Sequence, residues 1–459
     1  MLDTRRTMPA TPLFPDYSQL KTKAKIADLE RLAEPNLTQN EYICGDGMAR
    51  LLAEALRCYV GSLSDPRWEI DAFLKHAASN GRRFHLFLAA LFDLACNVEY
   101  VHGRLVNSKW IYCRRQGPAR PVAYYSFLKQ CPLCCLDLGL EKRLAGAQHK
   151  PSSHHIGEIT TTAMAMLLKL VVSAAPNPLS VAVITKQSHD VDAVAFRDNL
   201  FLLLEVKASP MVTFPFGMEL PEPLFTEGVE GRTEFRQHSL IDVPVDYEKL
   251  FMFLPHRQFC FALPRGNDTN WPYQSAARCF GKADNLLEYF SAWLELFHAY
   301  SVPKTKRNER EEILAYLVNG WGDEIDSNKT KPGLGRTDDI KKGTYQLLKF
   351  GAYYADDSAN LPVRGALVTN LDPLFMRGDY FEKLADIRWG KNPNFVQEGT
   401  DWRIADMHLH YLYNAVLAFN EPVINDPLLT GIFDIAKAEA ALISGKLDGL
   451  LSSWGKPAV

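Results

Sequence analysis

The 459-residue chain has little cysteine, no strong charge of either sign and no long apolar run. Its nine cysteines are too few for a disulfide scaffold, and an odd number favours thiols or metal ligands over paired bridges. A net charge of −3 provides no whole-molecule field for a polyanion, so any nucleic-acid surface must be a local patch. The longest apolar run, Leu86 to Phe92, is far shorter than the roughly 20 residues of a membrane span, so we expect no such span.

Several targeting and catalytic signals are also missing. The N-terminus has no apolar segment of the kind that signal peptides carry, so we expect a cytosolic protein. Neither a Walker A lysine motif nor a G-x-S-x-G motif is present, which leaves ATP hydrolysis and serine hydrolase chemistry unsupported. The composition, 47% hydrophobic and 23% charged, is ordinary for a folded protein large enough for two or three cores.

Apolar periodicity and breaks in it divide the chain into six predicted regions. They are a helical N-terminal region (1–105), a basic segment (106–155), the first part of an α/β core (156–209), an insertion with a possible DNA-recognition role (210–330), the second part of the core (331–395) and a helical C-terminal region (396–459). The core reads as a helix from Ile156 to Ser173, three short strands within 181–207, a helix from Ile340 to Tyr354 and a strand from Gly365 to Asn370. The predicted fold class is therefore mixed α/β, with the order α-β-β-β-α-β.

The last two of the three short strands form a predicted hairpin that carries Asp192, Glu205 and Lys207. The period of two puts Glu205 and Lys207 on one face of their strand, and a short turn can bring Asp192 beside Glu205. Buried charges are costly unless they are paired or bound to metal. Mg²⁺ is held by one or two carboxylates together with a phosphate, and Lys207 can orient or deprotonate a metal-bound water. These groups together suit phosphodiester hydrolysis.

The hairpin also resembles a known nuclease motif. The segments His189-Asp-Val-Asp-Ala-Val-Ala-Phe and Leu-Leu-Leu-Glu205-Val-Lys207-Ala-Ser are similar to the motif of the PD-(D/E)XK nuclease superfamily, which includes most type II restriction endonucleases. The resemblance implies a restriction-endonuclease-like αβββαβ core. It further implies that Asp192, Glu205 and Lys207 are catalytic and that Asp192 and Glu205 hold Mg²⁺.

The resemblance extends beyond the three motif residues. Many members have a glutamate on the helix before the sheet, and Glu158 corresponds to it, which implies a catalytic role that includes metal binding through water. Val191 stands where the motif has proline, and Asp190 is a rival metal ligand. The similarity covers about residues 155–209 directly, and a surface hairpin with an ordinary Glu/Lys pair is the alternative interpretation.

A cysteine cluster predicts a second metal site. Cys131-Pro-Leu-Cys134 is a C-x2-C knuckle, and Cys113 precedes it across a 17-residue gap. Tetrahedral zinc needs four ligands of this kind, which favours a closed structural zinc site. The fourth ligand is open between His149 and Cys135, and adjacent Cys134 and Cys135 would chelate awkwardly, which favours His149. Buried free cysteines are the alternative.

The cysteine cluster lies in the most basic part of the chain. Residues 101–150 hold nine Lys and Arg against Asp137 and Glu141, a local charge of +7 with aromatic side chains interleaved. Such a segment suits a zinc-stabilised loop on DNA phosphates, and a solvated basic face is the alternative for each residue.

These features, with the resemblance, predict a type II restriction endonuclease that cleaves double-stranded DNA with Mg²⁺. A homodimer is expected because a palindromic site matches two-fold symmetry, and a cognate DNA methyltransferase is the expected genetic partner. Two alternatives remain open. One is a repair or structure-selective nuclease of the same superfamily, and the other is a noncatalytic zinc-stabilised DNA-binding protein.

Overall fold

The computed structural model describes most of the chain outside its N-terminal 45 residues. The described residues are 46–102, 109–113, 122–125, 153–183, 191–197, 200–212, 214, 216–219, 238–239, 249–254, 261–267, 270–302, 333–354, 363–374, 376–390, 394–405 and 409–455. They form a mixed α/β fold that contains two six-stranded sheets and several layers of helices. The predicted mixed α/β class is therefore confirmed.

The helices of the described residues follow in chain order. They are α1 (Asp46–Gly61), α2 (Arg67–Ile70), α3 (Ala72–Ser79), α4 (Arg83–His102), α5 (Ser153–Ser173), α6 (Tyr273–Phe280), α7 (Ala283–Ser301), α8 (Thr337–Tyr354), a π-helical turn (Gly378–Glu382), α9 (Pro427–Thr430), α10 (Ile435–Ile443) and α11 (Asp448–Gly455). The expected helical character of the N-terminal region is confirmed for 46–102. Among the described residues, α4 alone is long and apolar enough to cross a bilayer, and it lies almost completely buried inside the fold.

The strands, again in chain order, are β1 (Lys109–Cys113), β2 (Val122–Tyr125), β3 (Ser180–Val183), β4 (Ala193–Arg197), β5 (Leu200–Val206), β6 (Phe216–Glu219), β7 (His238–Ser239), β8 (Lys249–Met252), β9 (Phe261–Pro264), β10 (Val363–Thr369), β11 (Arg388–Trp389), β12 (Asn394–Glu398), β13 (Asp401–Ala405), β14 (His410–Tyr411), β15 (Ala415–Ala418) and β16 (Val423–Ile424). Two pairs outside the large sheets, β11 with β14 and β12 with β13, form small ribbons.

The first six-stranded sheet has the order β16-β15-β10-β5-β4-β3. Strands β3, β4 and β5 form an antiparallel meander, whereas β5, β10 and β15 run parallel to one another. Helix α5 packs on one face of this sheet with α4 packed against it, and α8 covers the other face. Along the chain, α5, the meander, α8 and β10 follow the predicted order of helix, three strands, helix and strand.

The second sheet is antiparallel throughout and has the order β7-β1-β2-β6-β8-β9. It pairs β2, from the predicted basic segment, with β6, from the predicted insertion. Helices α6 and α7 of that insertion pack into the same core as α1 and α4. The structure thus joins in one sheet and one core segments that the sequence suggested as separate regions.

The prediction of a helical C-terminal region (396–459) is wrong for the first part of that region. Residues 401–405, 410–411, 415–418 and 423–424 are strands, and helices begin only at Pro427. The reason is clearest for β15. This strand pairs with β10 along one edge and with β16 along the other, and both of its faces are buried. Such a strand is continuously apolar, so its pattern cannot be distinguished from that of a buried helix by periodicity.

The two faces of β5 explain how the sheet presents its polar residues. Leu202 and Leu204 point into the large core with α4 and α5, while Phe201 and Leu203 point into the smaller core beneath α8. The alternation of a strand therefore places Glu205, the next residue of odd number, on the α8 side.

Candidate active site

Asp192, Glu205 and Lys207 lie on one face of the first sheet. The antiparallel register pairs Ala193 with Leu204, so Asp192 lies opposite Glu205 across the hairpin. Lys207 follows two residues after Glu205, just past the end of β5, and shares its side of the sheet. The structure therefore brings together the three residues that the sequence selected, and it does so through the strand alternation and hairpin pairing on which the prediction depended.

Asp192 takes over the hydrogen bonding at the end of the β4–β5 ladder. Its N–H donates to the Leu204 carbonyl at 3.2 Å, and its Oδ2 accepts a hydrogen bond from the Val206 N–H at 2.8 Å. Burial raises the pKa of the Asp192 carboxyl, against the opposing influence of the Lys207 charge and the Val206 N–H. One carboxylate oxygen is thus fixed by the backbone, which sets the direction of the side chain.

Glu205 and Lys207 form an ion pair at the same place. The Glu205 side chain is only 5% exposed, and the Lys207 ammonium, on a side chain that is 23% exposed, donates a hydrogen bond to its Oε1. Burial by itself would lower the pKa of Lys207, but the negative charges of Glu205 and then Asp192 outweigh it and raise that pKa. The pair therefore favours the ammonium form and holds Nζ against the Glu205 carboxylate, where the charge of Asp192 also acts on it.

The backbone at this point is tied to the neighbouring strand and to the loop before α8. The Lys207 N–H donates to the Val368 carbonyl of β10 at 2.9 Å, and the Gly333 N–H donates to the Ser209 carbonyl at 3.3 Å. Gly333 has φ +53°, and a Cβ there would lie 2.4 Å from the Leu371 carbonyl oxygen. Only glycine fits so close an approach with that backbone conformation.

Asp339, in the first turn of α8, is a charge near Lys207 that the sequence analysis did not single out. Its charge contributes to the raised pKa of Lys207, and its Oδ2 lies 3.6 Å from Nη1 of Arg336. A signal was available, because a helix that leads into a parallel strand begins at the carboxyl edge of the preceding strand. The predicted α-helix and strand after β5 therefore already placed the first turn of this helix near Lys207.

A buried carboxylate anchors the chain that leaves the site. Asp93 of α4 is fully buried, and it accepts hydrogen bonds from the N–H groups of Met211 (3.1 Å) and Val212 (3.0 Å) and from Nε1 of Trp293 (2.8 Å). Burial raises the pKa of Asp93 to about 7, against the lowering effect of these donors. The apolar helix pattern of the sequence provided no indication of this role, because its partners lie more than 100 residues away.

Two asparagines extend this anchor. Asn97, one turn after Asp93, donates to the Val212 carbonyl at 2.8 Å and accepts from the Phe214 N–H at 2.9 Å. Asn370, after β10, donates to the Ser209 carbonyl at 2.8 Å and accepts from the Ser209 N–H at 3.3 Å. Side chains therefore form hydrogen bonds with the backbone between Lys207 and β6, as a neighbouring strand would in a sheet.

Glu158 is exposed on α5, and that helix packs on the sheet face opposite the one that carries Glu205. Within the described residues there is no group of three or more His, Cys, Asp or Glu side chains arranged to hold a metal ion. Asp192 and Glu205 thus provide two carboxylates without a third ligand from that part of the chain, and the role assigned to Glu158 stays a prediction.

The predicted zinc site lies largely outside the described residues. Cys113 is the last residue of β1, whereas Cys131, Cys134, Cys135 and His149 belong to the part of the chain that is not described. The zinc ligands therefore stay a prediction of the sequence.

No family model matches this chain, and no curated protein or solved structure is significantly similar to it. Its function must therefore be inferred from its own residues and their geometry.

Proposed function

We propose that this chain is a type II restriction endonuclease, which cleaves double-stranded DNA at a specific site by Mg²⁺-dependent hydrolysis of phosphodiester bonds. The observation that carries the proposal is the placement of Asp192 opposite Glu205, with the Lys207 ammonium paired to Glu205 on the same face. Two largely buried carboxylates and a partly buried cation at the edge of a sheet cost stability, which favours a chemical role over a structural one.

The donor set fits Mg²⁺, which prefers oxygen ligands and retains several waters beside one or two carboxylates. Asp192 and Glu205 are the residues that would hold it. When bound, the ion supplies charge neutralisation at the phosphate and a more acidic water. Lys207 orients the attacking water and stabilises negative charge on the phosphate oxygens, because the ion pair with Glu205 holds its ammonium at the site. The hydrogen bond from the Val206 N–H fixes the orientation of the Asp192 carboxylate.

The surrounding fold supports the proposal in two ways. The order of α5, the β3–β5 meander, α8 and β10 is the order expected of an αβββαβ nuclease core. The second sheet contains β1 and β2, which come from the basic block of the sequence, and β6, which begins soon after the anchored segment that follows Lys207. A DNA-reading surface built on this sheet would be attached closely to the cleavage site.

The proposal includes partners and a location. Recognition of a palindrome favours a homodimer in the cytosol, encoded beside a cognate DNA methyltransferase. Sedimentation equilibrium of the purified chain tests the dimer, and a monomer at micromolar concentration would contradict it. Inspection of the neighbouring genes tests the methyltransferase.

A structural Zn²⁺ held by Cys113, Cys131, Cys134 and His149 forms part of the proposal. One zinc per chain is expected by elemental analysis of the purified protein, with loss of the metal in Cys131→Ser and Cys134→Ser. Replacing His149 and Cys135 separately by alanine identifies the fourth ligand. If the protein purified from cells grown in zinc-supplemented medium contains no zinc, the proposed site is contradicted.

The decisive experiment is digestion of unmethylated phage DNA with and without Mg²⁺. We expect discrete fragments with Mg²⁺ for the parent protein and none for Glu205→Gln or Lys207→Ala, while both variants still bind DNA. The exposed pair Asp379 and Lys383 provides the matched control, because Asp379→Asn and Lys383→Ala also remove one acid and one lysine from a contacting pair. These two variants should cut as the parent does.

Other outcomes discriminate between the alternatives. A smear of products would favour a repair-type or nonspecific nuclease of the same chemistry. DNA that stays intact across methylated and unmethylated substrates, but is bound without Mg²⁺, would overturn the nuclease proposal in favour of a noncatalytic DNA-binding protein.

A further inference from the structure

We propose that the outer face of α8, formed by Lys341, Lys342 and Tyr345, binds the sugar-phosphate backbone of DNA beside the cleavage site. The inference rests on the proposed function and names a surface that this function would use. These three residues are called the α8 outer face.

The α8 outer face is exposed and continuous. Lys341 and Lys342 lie four and three residues before Tyr345, which places each lysine next to Tyr345 on the helix surface. Both lysines are exposed, and Tyr345 is 66% exposed, although tyrosine is a large and partly apolar side chain. The buried side of the same helix, with Ile340 and Leu347, packs on the sheet, so the outer face points away from the core.

The ammonium groups of Lys341 and Lys342 are not paired with a carboxylate in the described part of the structure. Neither lysine forms an ion pair or a hydrogen bond with a described residue, in contrast to Lys207, Lys383 and Lys437, which all contact carboxylates. Lysine ammonium groups and tyrosine hydroxyls are donors that proteins commonly direct at phosphate oxygens. Exposed Asp338 precedes Lys341 and Lys342 by three and four residues, so this side of the helix carries a net charge of +1, which still complements DNA.

The position of the face relative to the cleavage site supports DNA as the occupant. Asp339, whose charge acts on Lys207, is in the first turn of α8, and Tyr345 follows it further along the same helix. At a rise of 1.5 Å per residue, the two are separated by about 9 Å along the helix. The α8 outer face therefore lies within about two helical turns of Asp339, so a duplex held at the cleavage site could extend onto it.

The experiment measures DNA binding by the full chain in a Glu205→Gln background, which prevents cleavage. Fluorescence anisotropy with a labelled duplex of about 30 base pairs gives Kd between about 50 and 200 mM KCl. Lys341→Gln with Lys342→Gln should weaken binding about tenfold at low salt and reduce the slope of log K against log salt by about 2. Tyr345→Phe should weaken it less, without change in the slope, because only a neutral hydrogen bond is lost.

The matched control is Lys75→Gln with Lys446→Gln, which removes the same charge from exposed lysines on α3 and near α11. It should leave the affinity and the slope close to those of the parent. If the parent binds duplex DNA and the α8 variants bind it equally well with the same slope, the α8 inference is wrong while the proposed function stands. If the parent neither binds nor cuts duplex DNA, both are overturned.

Discussion

Asp192 Oδ2 accepts a hydrogen bond from the backbone N–H of Val206 at 2.8 Å. The carboxylate thus occupies the place that a backbone carbonyl of β4 would take if the ladder continued, and its side chain is fixed at the position where the strand ends. A residue that would bind metal is here also a structural residue, so its two roles must be separated by experiment.

The first prediction separates these roles at Asp192. Asp192→Asn keeps an oxygen that can accept from Val206, so we expect little change in the free energy of unfolding but a loss of cleavage of at least about 100-fold. Asp192→Ala also removes the acceptor and should cost about 1–3 kcal/mol of stability. Urea denaturation and plasmid cleavage measure the two effects. Cleavage at parental rate by Asp192→Asn would contradict the assignment.

The second prediction concerns Asn370, which holds Ser209 two residues beyond Lys207. Asn370→Ala should cost about 1–3 kcal/mol, because it removes two hydrogen bonds to the Ser209 backbone, and should lower kcat with little effect on DNA affinity. The loss of kcat is expected because the backbone that follows Lys207 is no longer fixed. Urea denaturation, steady-state cleavage and DNA-binding titrations measure the three quantities.

Asn414 is the matched control for Asn370. It accepts from the Gly365 N–H at 2.9 Å at the opposite end of β10. Asn414→Ala should destabilise the protein to a similar extent but keep kcat. Equal losses of kcat in the two variants would indicate that stability alone explains the effect of Asn370.

The third prediction tests the close approach at Gly333. Gly333→Ala adds a Cβ at 2.4 Å from the Leu371 carbonyl oxygen and also incurs the cost of φ +53°. Gly266 has nearly the same φ, +54°, and a Cβ added there would meet nothing within 4 Å, so Gly266→Ala isolates the backbone cost. That cost is about 1 kcal/mol.

We expect Gly333→Ala to be more destabilising than Gly266→Ala by about 1–3 kcal/mol. It should also slow cleavage, because Gly333 ties the segment that leads into α8 to Ser209, two residues after Lys207. Urea denaturation of the two variants measures the difference. Similar unfolding free energies for the two would contradict the steric argument.

The fourth prediction concerns pH and Asp93. Its pKa in the folded protein is about 7, above the value of 3.8 for a free carboxyl, so the folded state binds this proton more tightly. The stabilisation from protonated Asp93 is complete below about pH 4 and is lost as pH rises towards about 7. In Asp93→Asn this part of the pH dependence should disappear.

Urea denaturation of the parent and of Asp93→Asn between about pH 4.5 and 8 tests this expectation. The unfolding free energy of the parent minus that of Asp93→Asn should decrease as pH rises to about 7 and change little above it. The decrease occurs because, below about pH 7, folded Asp93 still holds a proton that the unfolded chain has lost. A difference that is flat over the whole range would mean that Asp93 is ionised throughout.

Much of the site followed from the sequence because its determinants are local. The side-chain period of two in a strand put Glu205 and Lys207 on one face, and a short hairpin placed Asp192 opposite Glu205. The helices and strands around them were also predictable, since each has its own periodicity or its own breaks.

Other features were decided only by the tertiary structure. Strand β15 was mistaken for helix, because burial on both faces removes the periodicity on which the prediction depends. Asp93 was not identified, because its hydrogen-bond partners are 118 to 200 residues away along the chain. A local pattern encodes which face a side chain occupies. The packing of the sheet and its helices decides which distant backbone groups a side chain bonds to. It also decides which helix end lies beside that side chain.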